Sequence, residues 1–202
     1  MSQIETIFRN YTDAFGYLSA QGRMYRFAGA ALNTPATGAT SVATTTPTFL
    51  LHVTAGTQYA VIPAEMRLFQ AGTVAGGAIT YLMEMDNADR YTSGGTAMLS
   101  FNSRMGGPDL PSGIAMYSTA GSAIVATNAV GIRMDGALLG QDVSPAEGAV
   151  NQLVWTPQAG ADYLVPTASL GASWLVNTSA ATTGPTWFFN FKAAVVPLDW
   201  MS

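Results

Sequence analysis

From residue 48 onward the chain is a succession of short runs rich in β-branched and aromatic residues, each cut off by Gly, Pro, Asn, Asp or Ser. The runs are TFLLHVT (48–54), QYAVIP (58–63), EMRLFQ (65–70), AITYLMEM (78–85), IAMYS (114–118), SAIVATNAVGIRM (122–134), AVNQLVW (149–155), DYLVP (162–166), SLGASWLVN (169–177) and WFFNFKAAVVP (187–197). Such runs between turn formers predict strands. Roughly eight to ten of them with no long helix between argue an all-β sandwich or barrel. Their spacing is regular but no sequence repeats, which argues against a propeller or solenoid. Two runs alternate clearly. Ile79, Tyr81, Met83 and Met85 share one face, against Thr80, Leu82 and Glu84. Trp187, Phe189 and Phe191 share another, against Phe188 and Asn190. The second run is apolar on both sides, which predicts a central or covered strand. Pro197 stands where its ladder should end.

The first 46 residues read differently. Ile4, Ile7, Phe8, Tyr11, Phe15 and Leu18 recur at helical spacing, predicting an amphipathic helix over 4–18 that ends near Gly16 or Gly22. Residues 28–47 carry no charge and no aromatic ring, so they read as an extended strap. The expected organisation is an N-terminal arm over 1–46, short helix plus strap, and a β-sandwich over 47–202. The helix is read first as packed on its own domain, with docking on a neighbouring subunit as the alternative, and in an assembly the strap would lie along a neighbour.

Charge narrows the function classes. Only 10% of the 202 residues are charged, against about 25% in an average protein. A surface so poor in ionised groups suits a chain largely covered by copies of itself or by a partner. The net charge of −4 and eight scattered basic residues argue against nucleic-acid binding, which needs clustered cations. Cysteine is absent, which excludes disulfides and thiolate metal sites. No apolar run approaches the about 18 residues of a membrane-spanning helix. The N-terminus lacks the basic-then-apolar order of a secretory signal, so the Asn10-Tyr11-Thr12 and Asn177-Thr178-Ser179 acceptor patterns read as chance.

The densest chemistry lies in EMDNADRYTSGG, residues 84–95. An EF-hand counted from Asp86 fails: Ala88, Arg90 and Tyr91 fall where ligands and the invariant glycine belong. Asp86, Asn87 and Asp89 are better explained as turn formers bonding the local backbone. Arg90 would balance the carboxylates internally or reach the next subunit. His52 is the only histidine, so a two-histidine metal site is excluded, and no Gly-x-Ser-x-Gly elbow accompanies it. No pair among the twelve acids stands out for glycoside hydrolysis. The glycine stretches 71–78 and 103–113 lack a phosphate-loop Gly-Lys-Ser/Thr. Trp155, Trp174, Trp187 and Trp200 could stack on sugars, but in an all-β chain they read first as core or interface anchors. No catalytic residue, metal site or cofactor is expected.

Ile62-Pro63-Ala64, the segment Asp86 to Thr96, Trp155, and the closing stretch Pro166 to Ala193 occur in an order that resembles a type of small bacteriophage virion protein. The resemblance covers about residues 47–197 and leaves the first 46 outside it. It implies an antiparallel jelly-roll-like sandwich and a head-decoration, or cement, role in the virion. The paucity of charge points the same way, and the expected partners are copies of the chain, as a trimer or pentamer with a trimer favoured, and the major capsid protein. The resemblance supplies no catalytic residues. Candidate contacts on the body are Met66, Phe69, Met105, Met116, Trp174, Phe188 and Trp200, since aromatic and Met side chains dominate such surfaces. Phe8, Tyr11 and Phe15 on the arm and Asp86, Asp89 and Arg90 in the acidic turn complete the set. A receptor- or carbohydrate-binding appendage and a jelly-roll capsid subunit are the alternatives.

Overall fold

The short apolar runs pair into antiparallel sheets in the computed structural model, which describes residues 3–10, 13–29, 34–71, 78–127, 133–141, 152–157 and 163–201. In chain order the helices are α1 (Gln3–Asn10) and α2 (Ala14–Ala20). The strands are β1 (Met24–Ala28), β2 (Ala36–Thr37), β3 (Phe49–Val53), β4 (Tyr59–Gln70), β5 (Ala78–Asp86), β6 (Tyr91–Gly94), β7 (Thr96–Ala97), β8 (Leu99–Asn102), β9 (Ile114–Ser118), β10 (Ile124–Ala126), β11 (Arg133–Gln141), β12 (Gln152–Trp155), β13 (Ala172–Ala180) and β14 (Thr186–Pro197). A 3₁₀ turn over Leu198–Met201 follows. Among these elements no helix is long and apolar enough to cross a membrane.

One sheet has the order β12-β4-β14-β1-β8, with β2 added on β14. The facing sheet runs β11-β5-β13-β3-β9-β7, and β6 pairs with β10 separately. Four antiparallel pairs are nested along the chain: β5 with β11, β4 with β12, β3 with β13, and β1 with β14. Period-two alternation sends one side of each sheet into a shared core. Tyr25, Phe27, Met66, Leu68 and Phe191 enter it from the first sheet, and Phe49, Leu51, Met83, Trp174 and Val176 from the second. Phe49 stacks on Phe189 across the gap at 4.1 Å between ring centroids, and Trp174 meets Phe191 at 4.6 Å. A buried polar chain also joins the sheets. The Trp187 indole N–H donates to Thr178 Oγ1 (3.0 Å), which shares a hydrogen bond with Thr48 Oγ1 (3.1 Å).

The expected faces of residues 79–85 match this core, with Ile79, Tyr81, Met83 and Met85 directed inward. The runs at 58–63 and 65–70 are one strand rather than two. Its pairing with β14 slips between Lys192 and Ala193, which leaves Ala64 extra beside Pro63. A bulge there accommodates a residue with no N–H to give the ladder. The run at 122–134 divides into β10 and the start of β11. That at 162–166 contributes only a bridge between Leu164 and Val61.

The boundary expected at residue 46 does not separate an arm from a body. β1 lies between β14 and β8, so residues 24–28 are an interior strand of the first sheet. The helical spacing at 4–18 forms two helices. Asp13 breaks the run by capping α2, its Oδ1 accepting from Gly16 N at 2.7 Å. Ile4, Ile7 and Leu18 then cover Met24, Ala60, Ile62, Ala194 and Val196 on the outer side of the sheet. This is packing on the chain's own body, because those outward side chains would otherwise expose a contiguous apolar patch. The described part of the strap also lies on its own sandwich. Ala36–Thr37 pair with β14, Ala39 bridges Ser179, and Thr45 O accepts from Ala126 N. Gly38 permits the approach: a Cβ there would lie 2.4 Å from Thr178 Oγ1.

The Ser-Gly-Gly turn at 93–95 has a steric cause. Gly94 holds φ +74°, and a Cβ on it would lie 2.2 Å from Ala123 O. Gly94→Ala should therefore lower stability by about 2 kcal/mol, from left-handed strain plus displacement of β10. Thermal unfolding checks this. An unchanged midpoint would mean that the turn is loose.

Candidate functional site

The polar residues of 84–95 converge on the outer face of the second sheet, beneath the β6–β10 pair. Register places Asp86 opposite Ser173, and Ser173 opposite His52. The chain then turns back over this row. Asp86 Oδ1 accepts from Ala88 N (3.1 Å) and its Oδ2 from Arg90 Nε (2.9 Å). Arg90 N donates to Ser173 Oγ at 2.8 Å. The Asp89 carboxylate lies 3.1 Å from His52 Nδ1 and accepts from Tyr91 N at 3.1 Å. Tyr91 then stacks on Tyr117, centroids 4.2 Å apart and 6° from parallel, with the His52 ring 4.9 Å from that of Tyr91. Burial, with Tyr117 as its neighbour, pushes the Tyr91 hydroxyl above the usual tyrosine range.

Serine, histidine and aspartate are thus brought together by type. Their bonds, however, tie the turn to the sheet beneath it. Ser173 is wholly buried, its oxygen faces the Arg90 amide, and among the described residues no hydrogen bond joins it to His52. A nucleophile needs its base within hydrogen-bond reach and room for a substrate carbon. Among the described residues no group of three or more His, Asp or Glu side chains could hold a metal ion. What the arrangement does is fasten the turn after β5 to β13 and β3.

Glu84 lies in the same outer row as Leu175 and is buried, and its Oε2 has no hydrogen-bond partner among the described residues. Burial raises its carboxyl above the ordinary range, and Asp86 adds to the rise. A carboxyl raised on folding favours the folded state while protonated. Its contribution is full below the unfolded value of about 4.3 and is lost as pH climbs through the folded value. Glu84→Gln should therefore gain stability relative to the wild type as pH rises from 4 to 8. Denaturant midpoints across that range check it, and a constant difference would contradict it.

The contact candidates divide sharply. Met66, Met116 and Trp174 are buried in the chain's own core, so they are not surface anchors. Their strands turn these positions inward, and each fills space between the sheets. Phe15 and Trp200 pack half-buried in the helix cluster, with the Arg23 guanidinium carbon 5.5 Å from the Trp200 ring centroid. Asp86 is buried, and Asp89 and Arg90 are half-buried in the knot just described. The Phe8 side chain and Tyr11 lie outside the described residues. Burial of Trp174 and Trp187 removes them from any sugar-stacking platform. Met105, Phe188 and Phe69 remain on the surface side. Met105 is fully exposed at the tip of the 103–113 loop, and Phe188 is 43% exposed.

Phe188 and Phe69 face each other across β14 and β4 on the outer side of the first sheet, beyond the helices. The next row runs Val154, Arg67, Asn190, Ala28 and Leu99. A third runs Glu65, Lys192, Arg26 and Phe101. Val154, Leu99 and Phe101 are 43, 47 and 53% exposed. Glu65 receives Arg67 at 2.7 Å and Lys192 at 2.8 Å, and these bonds, Arg67 first, hold its carboxyl below the usual range. An open pocket of about 420 Å³ adjoins Phe101, lined by Arg104, Met105, Pro108 and Leu110. The residues that sequence reasoning missed here are Arg26, Arg67, Lys192, Leu99, Phe101 and Val154. The alternation of Phe188 and Asn190 against Trp187, Phe189 and Phe191 extends to Lys192 and was the available signal.

No protein-family model matches the chain, and a search of curated proteins finds no match either.

Proposed function

We propose that this chain is a non-enzymatic structural subunit of a bacteriophage particle, a decoration or cement protein that binds the head and stabilises it. The observation that carries this reading is a contrast between two surfaces. The polar residues that could do chemistry spend their hydrogen bonds within the chain, while an outer sheet face presents apolar side chains to solvent. Exposed, contiguous apolar side chains on a stable sheet mark association surfaces. A chain with 10% charged residues keeps little of the ionic surface that a freely diffusing protein carries.

We read the sandwich as jelly-roll-like, and the nested pairing supports it. β5 with β11, β4 with β12, β3 with β13 and β1 with β14 form one long hairpin whose successive pairs alternate between the two sheets. Rolling such a hairpin gives two Greek keys, and it leaves the first strand beside the last. The segment between β5 and β11 adds β7, β8 and β9 at the far edges and β6–β10 as a cover. The proposed partners are further copies, a trimer favoured, and the major capsid protein, with the particle assembled in the host cytoplasm.

The same strand order favours one other reading, a jelly-roll shell subunit. Removal separates the two: heads lacking a decoration protein still form, while heads lacking a shell subunit do not. Purified chain mixed with heads that lack it should co-sediment with them and raise the temperature at which they release DNA. Protein that remains in the supernatant would overturn the decoration reading.

A further inference from the structure

We infer that the open half of the outer face on the first sheet is the docking surface for a second copy of this chain, approached head to tail through a different part of that copy's surface. This rests on the assembling role proposed above. The geometry comes from the three rows beyond the helices, where Phe188, Phe101, Leu99 and Val154 stand exposed around a cationic centre. Arg26, Arg67 and Lys192 are three of the chain's eight basic residues, and with Glu65 they give the described face a charge of +2. The whole chain has a formal charge of −4, so the remainder of the sequence sums to −6.

Two such faces meeting each other would set cations against cations, so a two-fold, face-to-face contact is disfavoured. The face and the remainder of the chain have opposite charge, so a head-to-tail contact is favoured. Repeated, such a contact closes into a ring when the rotation allows. The arrangement inside the face also calls for an anion. Arg26 is directly opposite Lys192 on neighbouring strands, and like charges in that position repel. Lys192 turns to Glu65, whereas Arg26 has no ionic partner among the described residues. A carboxylate from the neighbouring copy would complete the row. The apolar side chains around it would exclude water, and the pocket beside Phe101 extends the contact toward the 103–113 loop.

The test is light-scattering mass in low and high salt for the wild type, Phe188→Asp, Phe101→Asp and Arg26→Glu, with circular dichroism confirming each fold. Wild type should have the mass of three or more 21.1 kDa chains and dissociate as salt rises. The variants should keep the wild-type spectrum and run as single chains at concentrations at least tenfold above those where wild type assembles. Two aromatic positions and one charge are used so that a misfolded variant leaves the others informative. Folded variants that still assemble would overturn the surface assignment and leave the decoration role standing. Wild type that is a monomer or a two-fold dimer, yet binds heads, would overturn the head-to-tail contact alone. A monomer that also fails to bind heads would overturn both.

Discussion

Trp174→Ala should cost about 3–5 kcal/mol and leave little folded protein at room temperature. Trp174 is wholly buried in the sandwich. Its ring lies 5.4 Å from that of Trp155 and 4.6 Å from that of Phe191, so it fills the gap between sheets rather than decorating one of them. Register places it between Leu51 and Met85, which hold the cavity open after truncation. Urea denaturation reads the loss directly. Trp200→Ala supplies the contrast, since that ring is half-buried at the helix patch and its removal should cost much less. If Trp174 served as a surface anchor, truncation would change the association state and spare the monomer's stability. The buried position requires the reverse.

Asp86→Ala should cost about 3–5 kcal/mol, through charge rather than volume. The Asp86 side chain is fully buried and receives both the Arg90 guanidinium and the Ala88 amide, while Arg90 itself is 21% exposed. Removing the carboxylate leaves a largely buried cation unpaired and frees the turn that also carries Asp89 to His52. Asp86→Ala combined with Arg90→Met should recover part of the loss, because the stranded charge is then gone as well. The double-mutant cycle measures that recovery. Strict additivity would mean that the two side chains act independently. Loosening of the turn should also disturb the Tyr91–Tyr117 stack, visible in near-ultraviolet circular dichroism.

What could be read from the sequence follows the range of the forces involved. The strand at 114–118 came from residue type between turn formers, and the facing of residues 79–85 from alternation; both signals are local and survive without partners. The β1 strand did not. MYRFA is short, carries Arg26 at its centre, and becomes a strand because β14, more than 160 residues away in sequence, offers a ladder to it. The strap was misplaced for the same reason, whereas the helical segment packs on its own domain as its spacing suggested. Residues 34–47 carry few side-chain signals, and it is backbone hydrogen bonds to distant partners such as Thr178, Ala180 and Ala126 that hold them. At the polar knot, the turn-forming role of Asp86 and Asp89 was legible from residue type. The His52–Asp89 and Arg90–Ser173 links were not, because they join positions 37 and 83 residues apart. Met66, Met116 and Trp174 show the limit of composition: an aromatic or methionine in a strand suits a core as well as an interface, and only the facing of each strand decides.

The most direct measurement of the proposed role is an image reconstruction, at side-chain resolution, of phage heads mixed with this chain. The account predicts the sandwich in symmetric clusters on the outside of the shell, with Phe188, Phe101 and Arg26 covered by a neighbouring copy. Heads without density for the chain, or with the sandwich present as isolated single copies whose sheet face is bathed in solvent, would contradict it.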